Sequence, residues 1–334
     1  MIHSCFHVSS SDEYTVLNEA DRLRRVGVFI AGCGYVGRRL ARAEQARGRT
    51  CAALTHSESS AMELEALDIT PVPGDLDVPD SLAALNLKGK TVYFLAPPSA
   101  DGETDRRSGH FCDAIDSGCV PERMVVISTT GVYGDCAGGW VDERRVPRPR
   151  AGRSVRRYDM ETTLRVWAAP AGCEAVTLRV PGIYGPDRLP RARIQQGTPV
   201  LAEHESPWSN RIHVDDLVRA CMAAADKDGP SPIYNVADGR PGTMTGYFNQ
   251  VADALGLPRP PQISRTEAEA TLSPGMLSYL AESKRIDIRR MREELGVEPQ
   301  YDLAAGLRAC VEEEKRELAT DDRAWSDPEI VPGN

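Results

Sequence analysis

A chain of 334 residues with a formal charge of −9 is long enough to bury a substantial core, as one α/β domain or two lobes. The acidic balance argues against nucleic acid or an anionic membrane surface as main partner, and no apolar run approaches the ~20 residues a membrane span needs. Nine scattered cysteines without a C-x-x-C pair argue against a disulfide framework or structural zinc site and for a reduced, cytoplasmic compartment.

Residues 1–25 read as a polar N-terminal extension lacking the basic-then-apolar order of a signal peptide. The organised chain starts at Val26, in the stretch VGVFIAGCGYVGRRLARAEQARG. Val26, Val28, Phe29 and Ile30 form a short apolar run, as in a strand buried on both faces of a parallel sheet. Gly32, Gly34 and Gly37 follow in G-x-G-x-x-G spacing, and a helical pattern begins at once. The first glycine permits a tight turn, the second lets a pyrophosphate approach the backbone, and the third lets helix and strand pack closely. Strand, glycines and helix in this order point to dinucleotide binding.

Gly48 closes that helix, and residues 50–55 are predicted as a second strand. Helical periodicity covers 59–67, and 69–73 reads as a third strand ending at Gly74-Asp75-Leu76. A fourth strand over 91–95 is stopped by Pro97-Pro98, a helix is predicted over about 105–117, and 124–128 is a fifth strand. Residues 141–152 are charged and proline-rich, which predicts an exposed loop. A helix over about 155–168 and a strand over 175–180 follow. This alternation predicts an α/β fold, a doubly wound parallel Rossmann sheet over 26–180. Beyond Pro181 the pattern gives a helix over 217–225, a strand over 233–236, a helix over 243–255 and a helix over 302–318. Residues 181–318 are expected to complete the sheet and form a smaller, mostly helical substrate lobe over its C-terminal edge, with 319–334 a tail whose last dozen residues are frayed.

Several motifs fall in one order: AGCGYVG, GDL at Gly74 to Leu76, STTGVYG at Ser128 to Gly134, LRVPGIYGP at Leu178 to Pro186, IHVDDL at Ile212 to Leu217 and YNVAD at Tyr234 to Asp238. As a set, over residues 26–315, they resemble the extended short-chain dehydrogenase/reductases, which include the nucleotide-sugar epimerases and dehydratases. The glycine spacing is most similar to that of atypical members. The resemblance implies that Gly32, Gly34 and Gly37 hold the pyrophosphate, with Tyr35 and Val36 opening the helix. It implies that Asp75 and Leu76 line the adenine pocket, and that Leu95, Ala96 and Pro97 pass the cofactor ribose. Pro181 to Ile183 would approach the nicotinamide carboxamide, and a homodimer would form through the helices after strands four and five.

An acid at the end of strand two would accept from ribose hydroxyls and repel a 2′-phosphate. Leu54-Thr55-His56-Ser57 carry none before Glu58, which favours NADP over NAD, although no arginine stands ready to clamp a phosphate. His56 reads equally well as a solvated loop residue.

Hydride chemistry in the family uses a tyrosine phenol, a lysine four residues on that lowers its pKa, and a serine or threonine hydroxyl that orients the substrate oxygen. Thr129, four residues before Tyr133, holds the hydroxyl position; the plainer role is a strand-end hydroxyl satisfied by backbone. No Y-x-x-x-K follows. In one register Glu161 matches a glutamate often found four residues after the lysine, which puts Arg157 at the lysine and Arg153 at the tyrosine position. In the other, Tyr158 is the phenol and Thr162 replaces the lysine. Arginine is no proton donor at neutral pH, and side chains 157 and 158 point about 100° apart on a helix. Plain packing for Tyr158 and a solvated face for the arginines remain open. The arginine of the family's substrate-phosphate motif is replaced by Ser209, with Arg211 two residues on along the same strand face. His213 with Asp215-Asp216 reads as a helix N-terminus rather than a metal site.

The expectation is an NADP- or NAD-binding oxidoreductase, or an epimerase/dehydratase-like enzyme, acting on a small molecule through Thr129, Tyr158 and Arg157. Its rival is a dinucleotide-binding sensor or scaffold that kept the fold and lost turnover.

Overall fold

In a computed structural model of the chain, which describes residues 27–82 and 85–326, the apolar run becomes β1 (Val28–Ala31), buried at every position. The predicted N-terminal extension lies outside the described residues, as do positions 327–334 of the tail. After β1 come α1 (Tyr35–Ala46), β2 (Cys51–Thr55), α2 (Glu58–Glu65) and β3 (Ile69–Pro73). Then follow β4 (Thr91–Phe94), α3 (Arg106–Asp113), β5 (Arg123–Thr129), α4 (Gly152–Ala171) and β6 (Glu174–Val180). The second half contributes β7 (Gly182–Tyr184), α5 (Arg191–Gln195), β8 (Arg211–His213), α6 (Val214–Asp226) and β9 (Ile233–Asn235). It ends with α7 (Met244–Leu255), α8 (Arg265–Thr271), α9 (Pro274–Leu280), α10 (Arg289–Leu295) and α11 (Leu303–Ser326).

Seven strands form one sheet in the order β9-β6-β5-β4-β1-β2-β3, every pair parallel. This is the doubly wound Rossmann arrangement, with helices on both faces. Leu40 and Leu217, from α1 and α6, pack on one face with Ile30 and Val125. Phe111 and Leu164, from α3 and α4, pack on the other with Phe29 and Phe94. A third apolar cluster, including Tyr184, Ile194, Phe248 and Leu307, joins β7, α5, α7 and α11.

The strand order reverses between β1 and β4, and Ala31 stands level with both Leu54 of β2 and Phe94 of β4. The chain segments leaving these strands therefore emerge together at the C-terminal edge, the switch point where such sheets bind ligands.

Three boundaries differ from the sequence reading for local reasons. α4 starts at Gly152, not near 155, because Ala151 stays extended and its carbonyl accepts from the amides of Ser154 and Val155. This brings Arg153 and Ser154 into the first helical turn. α3 stops at Asp113 because the next residues pair instead with the segment at Leu85, whose amide bonds to the Ala114 carbonyl at 2.8 Å. α11 continues to Ser326, past the predicted helix end at 318.

Candidate functional site

The glycine turn explains itself atom by atom. Gly32 has φ +96°, and a Cβ there would lie 2.5 Å from the Ala96 amide nitrogen and 2.7 Å from Ala96 Cα. Only glycine lets the chain leaving β1 pass so close to the chain leaving β4. At Gly37 a Cβ would approach the Gly32 carbonyl oxygen to 3.0 Å, so this glycine permits the close fit of α1 on β1. Gly34 differs, since nothing lies within 4 Å of where its Cβ would be. Gly34 is also the N-cap of α1 and brings no side-chain cap, so the first-turn N–H groups face open space. An uncapped helix start beside an empty cradle fits a diphosphate.

The cavity over this turn, about 550 Å³, is lined by Gly32, Gly34, Tyr35, Val36, Gly37, Thr55, His56, Leu95, Pro97 and Ile183. Ala96 is buried beneath it. Asp75 and Leu76 are not among the lining residues. Leu76 is buried in the core, with its carbonyl bonded to His110 Nδ1 at 2.7 Å, and the Asp75 carboxylate accepts from the Asp77 amide in its own turn. Asp75 Oδ1 and the Leu76 carbonyl thus have partners within the protein. Contrary to the sequence reading, arginines do stand by: Arg38 and Arg188 line the cavity with Thr55, His56 and Ser60. Arg38 pairs with Glu63 at the surface, and Arg188 lies 4.8 Å from the centre of the Tyr35 ring. Arg38 was legible in principle, because it lies one helical turn after Gly34.

A second cavity of about 640 Å³ adjoins the first, and Pro97, Arg157 and Ile183 border both. Thr129 and Pro181 line it. Thr129 Oγ1 accepts from the Gly131 amide at 3.1 Å, which leaves its hydroxyl proton for the cavity. Arg157 Nη1 donates to the carbonyls of Ala96 and Ile127, both at 3.1 Å, tying its guanidinium to the ends of β4 and β5. Burial pushes its pKa down to about 10, still well above neutrality. One turn on, buried Glu161 receives a hydrogen bond from Ser128 and pairs with Arg179 at 2.7 Å.

Tyr158 is not brought to this place. It packs half-buried against the core cluster containing Val132 and Tyr133 and lines neither cavity. The helical turn between neighbours that puts Arg157 in the cleft carries Tyr158 out of it. Arg153, which one of the two sequence registers puts at the family's tyrosine position, has its guanidinium 3.6 Å from the Tyr279 ring centre and donates to Ser278 Oγ at 2.7 Å. Arg153, Arg156, Arg211 and Lys284 join Arg157 in the lining, against the single carboxylate of Glu282. Arg153, Arg156 and Arg157 stand in i, i+3, i+4 spacing, a one-face signal that was present in the sequence. His213 caps α6, accepting from the Asp215 amide at 3.3 Å, and no group of three metal-ligating side chains occurs among the described residues.

Arg211 also borders a recess of about 310 Å³ that contains Asp238. Burial pushes the Asp238 carboxyl up to about 6. A raised carboxyl favours the fold while protonated, so its contribution is full below about pH 4 and is lost as pH rises through about 6. Asp238→Asn is therefore expected to stabilise the protein by about 1–3 kcal/mol at pH 7.5 and by nothing at pH 4, measured by urea unfolding.

A model of the NAD dependent epimerase/dehydratase family matches residues 28–237. A ketoreductase of 4-hydroxy-2-methyl-3-oxo-4-farnesyl-3,4-dihydroquinoline-1-oxide from Stigmatella aurantiaca is 26% identical over 68% of this chain and 72% of its own. Protein YeeZ of Escherichia coli is 28% identical over 82% of this chain and 96% of its own. A functionally unknown conserved protein from Silicibacter pomeroyi superposes with a TM-score of 0.70 at 27% identity, covering 86% of this chain and 99% of that one.

Proposed function

Because this chain belongs to the NAD dependent epimerase/dehydratase family, we propose that it is a nicotinamide-dinucleotide-dependent oxidoreductase that prefers NADP and works without a tyrosine acid/base. The observation that carries this reading is the junction of the two cavities, where Arg157 and Ile183 border both and Thr129 lines the second. The ketoreductase description of the Stigmatella relative favours oxidoreduction over epimerisation.

A bound dinucleotide would exchange hydride with the substrate at this junction; every other task falls to the chain. The first-turn amides of α1 hold the diphosphate, and Arg38, Thr55, His56 and Ser60 receive the 2′-phosphate. Thr129 donates its hydroxyl proton to the substrate oxygen and orients it. Arg157 keeps two donor groups, Nε and Nη2, beyond those spent on backbone carbonyls, and with them stabilises negative charge on that oxygen. A guanidinium does not release a proton at neutral pH, so water supplies it.

NADPH oxidation against a panel of carbonyl compounds and sugar nucleotides tests the reading. Turnover is expected, with kcat reduced about tenfold in Thr129→Val, the equivalent of one hydrogen bond, and dinucleotide affinity unchanged. Arg38→Ala is expected to shrink the preference for NADP over NAD about tenfold. Tight dinucleotide binding without turnover on the whole panel selects the second reading, a sensor, which the arginine at the phenol position favours.

A further inference from the structure

We propose that the second cavity takes a flat, conjugated carboxylate whose anionic group lies beside the reacting atom, an inference that rests on this cavity being the substrate site. Four guanidiniums line it, from Arg153, Arg156 and Arg157 of α4 and Arg211 of β8. Among the described residues none of the four lies within ion-pair distance of a carboxylate. Their hydrogen bonds go to hydroxyls, two thioethers and backbone carbonyls, and Arg156 Nε is buried with no partner at all. Glu282 does not answer them, because Lys284 claims it at 2.6 Å. Asp105 and Glu161 act on Arg157, and Asp238 on Arg211, only through space; in a protein of formal charge −9 the cavity still gathers positive charge with no carboxylate in contact, and an anion joining it relieves that cost. Arg153 and Arg156 stand on the same helix face as Arg157, the group that meets the reacting oxygen. A neutral sugar ring at that end would leave them unanswered, whereas a carboxylate accepts bidentate hydrogen bonds from such forks.

The mouth supplies the second half of the argument. Among the described residues the exposed large aromatic side chains are Trp140, Trp208 and Tyr279. Trp208 and Tyr279 line this cavity. Arg285 lies 5.2 Å from the Trp208 ring centre and 5.3 Å from that of Trp140, which itself is not among the lining residues. Exposed aromatic faces in a charged cavity suit a planar π-system, which stacks on them. Such a substrate also suits a site without a phenol. A bound reduced dinucleotide would supply hydride to the conjugated system; Arg157 stabilises the negative charge that the displaced electron pair puts on the conjugated oxygen, and water supplies the proton.

Calorimetric titration of the full chain, without dinucleotide, compares 4-hydroxycinnamate with its amide, with 3-cyclohexylpropionate and with UDP-glucose. 4-Hydroxycinnamate is expected to bind at least tenfold more tightly than the amide and the saturated acid, and UDP-glucose is expected not to displace it. Arg211→Met and Trp208→Leu should each weaken it about tenfold, with Trp208→Phe restoring most of the loss. Equal binding of the amide, or displacement by UDP-glucose at lower concentration than the acid itself, overturns the proposal. NADPH titrated into the same preparations separates the two claims. Loss of NADPH binding with 4-hydroxycinnamate still bound defeats the oxidoreductase reading alone, and the reverse defeats this one alone.

Discussion

Gly32→Ala loses both dinucleotide binding and stability, whereas Gly34→Ala loses only the binding. At position 32 the added methyl meets backbone, with 2.5 Å to the Ala96 nitrogen, 2.7 Å to its Cα and 2.9 Å to the Leu95 carbonyl carbon. Backbone cannot rotate aside, and φ +96° is costly for any L side chain. The segment after β4 must move, taking with it Leu95 and Pro97 of the cavity wall and the Ala96 carbonyl that anchors Arg157. Strain and overpacking together are expected to cost about 2–5 kcal/mol of stability, and dinucleotide affinity should fall by at least ~100-fold, or ~2.7 kcal/mol. At position 34 a methyl finds free space in the protein, and its φ of −87° is open to alanine. It occupies only the place proposed for the diphosphate. Thermal melts and calorimetry on the two variants check the contrast: a Gly34→Ala protein that still binds NADPH at full strength puts the diphosphate elsewhere.

Arg157→Met is expected to lower kcat/KM by about 10²–10³, the usual loss when a donor aimed at a developing oxyanion is removed. The loss has two parts. The charge beside the substrate oxygen disappears, and the carbonyls of Ala96 and Ile127 lose the guanidinium that joins them. Arg157→Lys keeps a cation but cannot span both carbonyls while presenting a fork, so it should recover only part of the rate. The pH profile separates this chemistry from that of a tyrosine–lysine pair. Arg157, with its pKa near 10, stays charged over the whole neutral range, so kcat/KM should be level from about pH 6 to pH 9, where an active phenol would impose a limb. Tyr158→Phe should leave both rate and profile intact, since this side chain lines neither cavity; a clear loss of rate would return the phenol to the mechanism.

The glycine spacing was legible because Gly34 and Gly37 shape a strand–helix turn among near neighbours, whereas what Gly32 makes room for, the Ala96 backbone leaving β4, is a tertiary contact. The alternation of short apolar runs with amphipathic helices likewise announced a parallel sheet, and strands β1 to β6 fell within a residue or two of their expected places. The start of α4 was misread because the prolines before it look like loop while Ala151 in fact caps the helix. Arg38 belongs to α1, and only the fold sets α1 beside the end of β2, where a 2′-phosphate clamp is expected.

The amino-acid order by itself determined the sheet, the glycine turn after β1 and the absence of Y-x-x-x-K, since hydrophobic period, glycine spacing and residue identity are properties of neighbours along the chain. Which of Arg157 and Tyr158 enters the cleft was decided by the rotation of α4 against the sheet, set by burying Met160 and Leu164 under β4 and β5. The meeting of Arg211, Trp208 and Tyr279 with the arginines of α4 was likewise a tertiary outcome. These groups come from segments 50 to 130 positions apart, and only the packing of the later helices over the C-terminal edge of the sheet brings them to one cavity.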